Sequence, residues 1–260
     1  MPRFTANISF LFTERPFLER FQAARDAGFE AVECHFPYEF PVEQIRKTLA
    51  QAGLRLTGIN TAGGDRAIGE WGFAGVPGQE ARFARDFDEA VGYATALGTP
   101  MIHVMAGVVP PEARASARQI YVANLRAAAE KARAHGLTLL LEPLNVRDTP
   151  FYLVAHCDEL ADIIAEIAAP NVKLLFDVYH IQIMDGDLTE RIAHYRDIIG
   201  HVQIAGVPSR AEPDEDSEVN YAAIFKTLDA IGYAGLVGAE YRPRGLTENG
   251  LGWLKRYAPA

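Results

Sequence analysis

Cysteine and long apolar runs are both scarce in this sequence. Only Cys34 and Cys157 occur among its 260 residues, so neither a disulfide framework nor a cysteine-ligated zinc site is available. No apolar run approaches the ~18 residues that a membrane-spanning helix needs. The amino-terminal stretch 1–17 lacks the apolar core and the small-residue cleavage site of a secretion signal, so we expect it to belong to the fold. These absences predict a cytoplasmic protein with reduced thiols and no contact with a membrane.

Positive charge is also sparse. The chain has 25 Lys and Arg residues against 34 Asp and Glu residues, which gives a formal net charge of −9. Proteins that bind nucleic acid without regard to its sequence need concentrated positive charge to displace the counterions of the phosphate groups. The acidic balance therefore disfavours a nucleic-acid partner and favours a small-molecule substrate. A homo-oligomeric assembly is compatible with the sequence.

Eight short apolar runs alternate with longer stretches of helical periodicity. Short, mostly apolar runs are typical of parallel strands that are covered on both faces. The runs cover 4–10, 29–34, 54–59, 100–105, 137–142, 172–177, 201–205 and 235–240, and amphipathic stretches cover 16–27, 79–97, 116–135 and 156–168. Glycines that can end a helix in the left-handed conformation follow helical stretches, at Gly28, Gly53, Gly98, Gly136 and Gly232.

Eight strand–helix units without a Pro/Gly/Ser-rich linker predict one (β/α)₈ barrel, a TIM barrel, that spans residues 1–260 as a single domain. A doubly wound sheet is the alternative, but no glycine-rich dinucleotide fingerprint follows the first strand. Two long loops, 60–78 and 206–220, follow the third and seventh predicted strands. Both would lie on the carboxyl-terminal face of a barrel, where they could cover a ligand or be mobile surface segments.

Four consecutive predicted strands carry polar residues at or near their carboxyl ends. Glu142, Asp177 and Glu240 end the fifth, sixth and eighth strands, and Gln203 lies in the seventh. Carboxylate and amide oxygens without a thiolate suit a hard divalent cation. We therefore expect one Mg²⁺ or Mn²⁺ ion on these four side chains. The alternative is that each residue separately caps a helix or pairs with an arginine.

Glu142 and Glu240 come from strands three apart around the ring, so they could approach a substrate from opposite sides. Such a pair suits general acid–base work on a carbon acid, with the metal stabilising an enediolate. Three further residues could bind substrate oxygens: His180, His103 at the end of the fourth strand, and Arg242 close to Glu240. The alternatives are structural histidines and an arginine that bridges the acidic residues.

Longer segments carry a resemblance over nearly the whole chain. They are FTANISFLFTERPFLERF at 4–21, FPYEFP at 36–41, HVMAGVVP at 103–110, LLEPLNVRDTPFY at 140–152, DVYHIQIMDGDLT at 177–189, IGHVQIAGVP at 199–208 and GYAGLVGAEYRPRGLTENGLGWL at 232–254. With these segments the sequence resembles the hydroxypyruvate isomerase family, within the xylose-isomerase-like barrels.

The resemblance implies a metal-dependent enzyme of glyoxylate and carbohydrate metabolism that interconverts hydroxypyruvate and tartronate semialdehyde. The family's catalytic glutamates fall on Glu142 and Glu240, and its metal ligands fall on these two residues, Asp177 and Gln203. Related activities are the isomerisation of a four-carbon 2-oxo acid of the 2-oxo-tetronate type and ketose 3-epimerisation. Two alternatives from other functional classes use the same barrel: a metal-dependent nuclease and a non-catalytic sugar-acid-binding protein.

The sequence departs from the family pattern in two loops. Residues 209–218 read SRAEPDEDSE where a GRHEPGTGE-type segment is usual, so Ala211 replaces a histidine and Asp214 and Asp216 replace glycines. Trp71 stands where an arginine is usual. Fewer cations and more acids predict weaker attraction for a small anionic substrate.

Overall fold

The computed structural model describes residues 2–257, which contain nine parallel strands and a shell of helices. The expected barrel is confirmed. The strands are β1 (Arg3–Asn7), β2 (Ala31–Glu33), β3 (Arg55–Leu56), β4 (Gly58–Asn60), β5 (Met101–His103), β6 (Thr138–Leu141), β7 (Val172–Asp177), β8 (Ile199–Ile204) and β9 (Leu236–Ala239).

The sheet order is β3-β2-β1-β9-β8-β7-β6-β5-β4, and every pairing is parallel. The third predicted strand is divided at Thr57, so that β3 pairs with β2 whereas β4 pairs with β5. Two backbone bonds join β4 to the end of β2: Cys34 N–H donates to Gly58 O at 3.2 Å, and Asn60 N–H donates to His35 O at 2.9 Å. These bonds close the barrel between the two halves.

The first strand is shorter than predicted, because the chain turns after Asn7. Two backbone bonds hold this turn, since the N–H groups of Phe10 and Leu11 both donate to Asn7 O, at 3.1 and 2.9 Å. A strand that stops at Asn7 leaves its side chain at the carboxyl-terminal mouth of the barrel. The predicted strand over 4–10 is therefore wrong at its end, and the difference brings an additional polar group into the site.

The helices surround the barrel. They are α1 (Glu19–Asp26), α2 (Val42–Ala52), α3 (Glu80–Leu97), α4 (Arg114–Ala134), α5 (Cys157–Ile167), α6 (Val178–Met184), α7 (Leu188–His194), α8 (Tyr221–Ala230) and α9 (Gly252–Tyr257). The four predicted stretches correspond to α1, α3, α4 and α5. Gly53 and Gly98, directly after α2 and α3, have φ values of 64° and 66°. These values confirm that the glycines end helices in the left-handed conformation, which other residues adopt at a cost.

Both faces of the sheet are buried, but the barrel interior below its mouth is polar. Thr5 Oγ1 and Thr57 Oγ1 lie 3.3 Å apart, and His201 Nε2 lies 2.8 Å from Glu33 Oε2. Polar groups remain in such an interior only when they bond one another, because an unpaired buried group is costly. No helix within residues 2–257 is long and apolar enough to cross a membrane.

Candidate metal and acid–base site

A cavity of about 370 Å³ opens at the carboxyl-terminal ends of the strands. The long loop that follows β4 contributes Arg66 and Trp71 to its wall, and the loop that follows β8 contributes Arg210. This volume accommodates a molecule of a few carbon atoms. Polar side chains dominate the wall, namely His35, Asn60, Arg66, His103, Glu142, Asp148, Thr149, His180, Arg210, Glu240 and Arg242.

Three of the four predicted ligands present a buried oxygen that lacks a hydrogen-bond donor in the described part of the chain. These atoms are Glu142 Oε1, Asp177 Oδ2 and Gln203 Oε1. Their side chains come from the ends of β6, β7 and β8. Because buried polar atoms are nearly always bonded, oxygens without donors indicate a missing electropositive partner. A hard cation that takes oxygen ligands fits this set.

Asp177 divides its two oxygens between the fold and the cavity. Its Oδ1 accepts a 2.8 Å bond from the backbone N–H of Tyr179 and so caps α6. Its Oδ2 faces Arg210 Nη2 and His180 Nε2, each at 3.7 Å, beyond hydrogen-bond distance. Asp177 therefore acts as a helix cap, as the alternative interpretation proposed, and still leaves one oxygen for a ligand.

Glu240 is the most heavily bonded of the four. Its Oε2 accepts 2.7 Å bonds from Asn7 Nδ2 and from Gln203 Nε2, and His35 Nε2 lies 3.2 Å away. Its Oε1 accepts a 2.5 Å bond from Arg210 Nη2. Burial alone would raise the pKa of Glu240, but His35 and Arg210 outweigh burial and lower this pKa to about 2. Glu240 is thus held as a carboxylate.

Glu142 and Asp177 are in the opposite electrostatic situation. Burial, together with the negative charges of Asp177 and Glu240, raises the pKa of Glu142 well above its usual value. Burial also raises the pKa of Asp177 to about 7, although Arg210 opposes the change. Carboxyl groups that retain protons in this way would be ionised by a bound cation. Divergent pKa values in a pair of acids are the arrangement that acid–base catalysis uses.

The side chain of His180 is oriented by the loop after β6. Its Nδ1 accepts a 3.0 Å bond from the backbone N–H of Asn145, and a backbone N–H can only donate. The neutral ring therefore carries its hydrogen on Nε2, the atom that lies 3.7 Å from Asp177 and 3.9 Å from Glu142. Burial and Arg210 lower the pKa of His180 well below its usual value, so the ring is neutral. The three side chains could hold a cation together, but this tautomer makes His180 a donor.

His103 and Arg242 occupy different parts of the cavity. His103 lies at the end of β5 with its Nδ1 3.6 Å from Glu142 Oε2, and burial and His35 lower its pKa to about 3. Its Nε2 has no partner within residues 2–257. Arg242 lies at the exposed rim, where its side chain can reach an entering anion. The predicted site residues are thus brought to one cavity or to the groups directly beneath it.

Sequence reasoning missed two residues of the site, His35 and Arg210, and noted Asn7 only as a polar residue that ends an early strand, with a less specific signal. Arg210 itself adopts the left-handed backbone conformation, with φ of 56°, and its guanidinium lies over the rings of Phe10 at 4.7 Å and Tyr179 at 5.0 Å. The available signal was its position in the loop 206–220, which was predicted to lie on the carboxyl-terminal face. The tertiary contacts with Phe10 and Tyr179 could not be read from the sequence.

The two aspartates of the substituted loop lie outside the cavity wall. Asp214 and Asp216 both pair with Arg244, away from the cavity wall. Trp71 supports a cation, because the guanidinium of Arg66 lies 4.1 Å from its ring centre. Arg244 also pairs with Glu212, so one positive charge faces three carboxylates. Weaker attraction for an anion therefore stays a prediction, against which Arg66 brings positive charge to the wall.

Comparison with known proteins gives consistent matches over the full length. The family model of the xylose isomerase-like TIM barrel matches residues 21–257. The 2-oxo-tetronate isomerase of Pectobacterium atrosepticum is 47% identical, with 98% of this chain and 97% of the relative covered. The hydroxypyruvate isomerase of Escherichia coli is 40% identical, with 99% and 100% covered. A crystal structure from Brucella melitensis, described as an AP endonuclease of family 2, has a TM-score of 0.96 and 45% identity, with 99% of each chain covered.

Proposed function

Because this chain belongs to the xylose isomerase-like TIM barrel family, we propose that it is an aldose–ketose isomerase of small hydroxy and oxo acids. The first candidate substrate is hydroxypyruvate, which would be converted to tartronate semialdehyde, and the second is a four-carbon acid of the 2-oxo-tetronate type. Relatives named 2-oxo-tetronate isomerase and a relative named hydroxypyruvate isomerase match nearly the whole chain at 40–48% identity. Strands from both ends of the chain also pair, β1 with β9, which supports a single domain.

One observation carries the proposal: at three adjacent strand ends, a buried side-chain oxygen has no hydrogen-bond donor among residues 2–257. We assign the metal ligands to Glu142, Asp177, Gln203 and Glu240, with Mg²⁺ or Mn²⁺ as the ion. When bound, such an ion would polarise the carbonyl group and stabilise negative charge on the enediolate oxygens. Its charge would also offset the repulsion among three carboxylates.

The chain's own groups would carry the protons. One of Glu142 and Glu240 takes a proton from the hydroxyl-bearing carbon, and the other delivers a proton to the neighbouring carbonyl carbon. His180, and His103 with its Nε2 unpartnered, are neutral donors for substrate oxygens. The guanidinium of Arg242 at the rim suits the substrate carboxylate.

Proton NMR in deuterated water tests the reaction. Purified enzyme with Mg²⁺ is incubated with hydroxypyruvate or with a four-carbon 2-oxo acid. Proton transfer through an enediol places solvent deuterium at the former carbonyl carbon. Full retention of the substrate hydrogen would indicate a hydride shift, and absence of turnover with every candidate would refute the isomerase proposal. Absence of turnover together with ligand binding would favour a non-catalytic binding protein.

Nuclease activity is the alternative that the description of the Brucella melitensis structure raises. A net charge of −9 and a cavity of about 370 Å³ both favour a small substrate over a nucleic acid. Duplex DNA with one abasic site, incubated with enzyme and Mg²⁺ or Mn²⁺, should remain intact. Cleavage that is lost in a Glu142→Gln variant would support the nuclease instead.

A further inference from the structure

A buried pair of hydrogen-bonded side chains lies next to the proposed metal ligand Gln203. Glu33 ends β2, and its Oε2 lies 2.8 Å from Nε2 of His201 on β8. Both residues are only 3% exposed. Neither residue belongs to the cavity wall, so this pair does not contact a substrate. Since Glu33 and His201 do not reach the cavity, their role is one other than direct contact with the reacting atoms.

Glu33 also bonds the amide of Gln203. Nε2 of Gln203 donates to Glu33 Oε1 at 2.7 Å and to Glu240 Oε2 at 2.7 Å. An amide NH₂ group has two hydrogens, so both are engaged by carboxylates. The Oε1 atom on the opposite side of the amide is buried and has no donor within residues 2–257.

Orientation matters for a glutamine ligand because its two ends differ. Only the oxygen can bind a cation, and the NH₂ end repels one. A carboxylate ligand has no such requirement, since both of its ends are oxygens. Two carboxylates on the NH₂ group therefore fix the orientation of the amide and leave Oε1 without a partner in residues 2–257.

The neighbouring strand makes space for this arrangement. Gly238 lies on β9 beside Gln203 on β8. A β-carbon at Gly238 would lie 2.5 Å from Glu33 Oε1 and 2.9 Å from Gln203 Cγ, closer than carbon atoms approach one another or oxygen. Because Gly238 has no side chain, the Glu33 carboxylate has room to contact the Gln203 amide.

We propose that Glu33, held by His201, is a positioning residue that orients the Gln203 amide oxygen toward the metal. This inference rests on the metal set of the proposed function. Glu33 acts through Gln203 and does not touch the reacting atoms. Loss of a group that orients a ligand typically lowers metal affinity by about 10–100-fold.

Mn²⁺ titration followed by electron paramagnetic resonance tests the proposal, with the full chain and without substrate. Glu33→Leu should weaken Mn²⁺ binding by about 10–100-fold. Glu33→Gln keeps an acceptor oxygen for Nε2 of Gln203 and should stay within about threefold of the parent. Thr57→Val is the control, because Thr57 is a buried barrel residue that bonds Thr5 and Val32 and not Gln203. It should leave Mn²⁺ affinity unchanged.

A double variant separates orientation from general damage. In the parent, Gln203→Glu places a carboxylate against Glu33 and Glu240, so Mn²⁺ affinity should fall. In the Glu33→Leu background the same change should raise affinity, because a carboxylate needs no orienting partner. Loss of the repulsion at residue 33 would also raise Mn²⁺ affinity, so the reference is the Glu33→Gln background, which lacks that charge but keeps the acceptor for Gln203. There the gain from Gln203→Glu should be about 10–100-fold smaller than in the Glu33→Leu background. If Glu33→Leu does not fold, Glu33→Asp, which withdraws the carboxylate by one methylene, replaces it in the cycle.

In a parent that binds Mn²⁺, two results would overturn the proposal: unchanged Mn²⁺ affinity in a folded Glu33→Leu protein, or the same effect of Gln203→Glu in the Glu33→Gln and Glu33→Leu backgrounds. A parent that binds no Mn²⁺ would overturn it together with the metal assignment. Absence of isomerase turnover alone would refute only the proposed function, since the Mn²⁺ measurement needs no substrate.

Discussion

The two proposed catalytic glutamates should respond differently to the same substitution. Glu240→Gln and Glu142→Gln both preserve size and one ligand oxygen, and both remove an ionisable group. Loss of an acid–base group lowers turnover by about 10²–10⁴-fold. We expect losses in this range for both variants, measured as tartronate semialdehyde formed and as solvent deuterium incorporated.

Their stabilities should differ because their hydrogen-bond environments differ. Every donor around Glu240 requires an acceptor: Arg210 Nη2 at 2.5 Å on one oxygen, and the amides of Asn7 and Gln203 at 2.7 Å on the other. Either orientation of a glutamine at residue 240 turns its NH₂ group toward donors. A buried donor left unsatisfied costs about 1–3 kcal/mol.

Glu142 is different because neither of its oxygens accepts a close bond: His103 Nδ1 lies at 3.6 Å and His180 Nε2 at 3.9 Å. A glutamine at residue 142 would not place its NH₂ group against another close donor. We therefore expect Glu142→Gln to lower the free energy of unfolding by less than about 1 kcal/mol. Thermal unfolding of the metal-free proteins measures the contrast. At about 2–4 °C per kcal/mol, Glu240→Gln should lower Tm by about 2–12 °C.

Three results would refute this reasoning. Near-normal turnover of either variant would exclude that residue from proton transfer. Equal destabilisation by both variants would show that the donors around Glu240 do not distinguish the sites. A Glu142→Gln variant much less stable than Glu240→Gln would reverse the assignment of the donor network.

Further outcomes follow from the charges at the site. Mn²⁺ should raise Tm more at about pH 8 than at about pH 5.5. Burial raises the pKa of Asp177 to about 7, so at the lower pH a cation must displace the proton of this carboxyl group. Equal Tm shifts at the two pH values would contradict a metal site at Asp177. Chelation with EDTA should abolish turnover while the protein stays folded, as judged by circular dichroism, and Mn²⁺ should restore the activity. Arg242→Gln should raise KM for an oxo acid by about tenfold with little change in kcat; an unchanged KM would exclude Arg242 from carboxylate binding.

Much of the barrel could be predicted because its signals are local. Short apolar runs marked the strands, and glycines after Ala52 and Leu97 marked helix ends. Glu142, Asp177 and Glu240 stood out because a carboxyl group at the end of an apolar run is costly to bury without a purpose. Chain order around a barrel then brought these ends together.

Other features depend on contacts between distant segments. The division at Thr57 arises because the two halves of the strand pair with different neighbours, which a continuous apolar run does not reveal. His35 and Arg210 reach Glu240 from loops, across 205 and 30 residues of sequence. Their roles depend on loop conformation, and periodicity carries no information about that.

The buried guanidinium of Arg210 has a consequence for how the protein matures. It pairs with Glu240 and lies 3.7 Å from Asp177, so part of the acidic charge is offset before any ion arrives. A zinc finger, in contrast, remains unfolded until its metal binds. Here the chain carries its own internal counter-ion, and folding need not wait for metal. The proposed ion would therefore enter a barrel that is already complete.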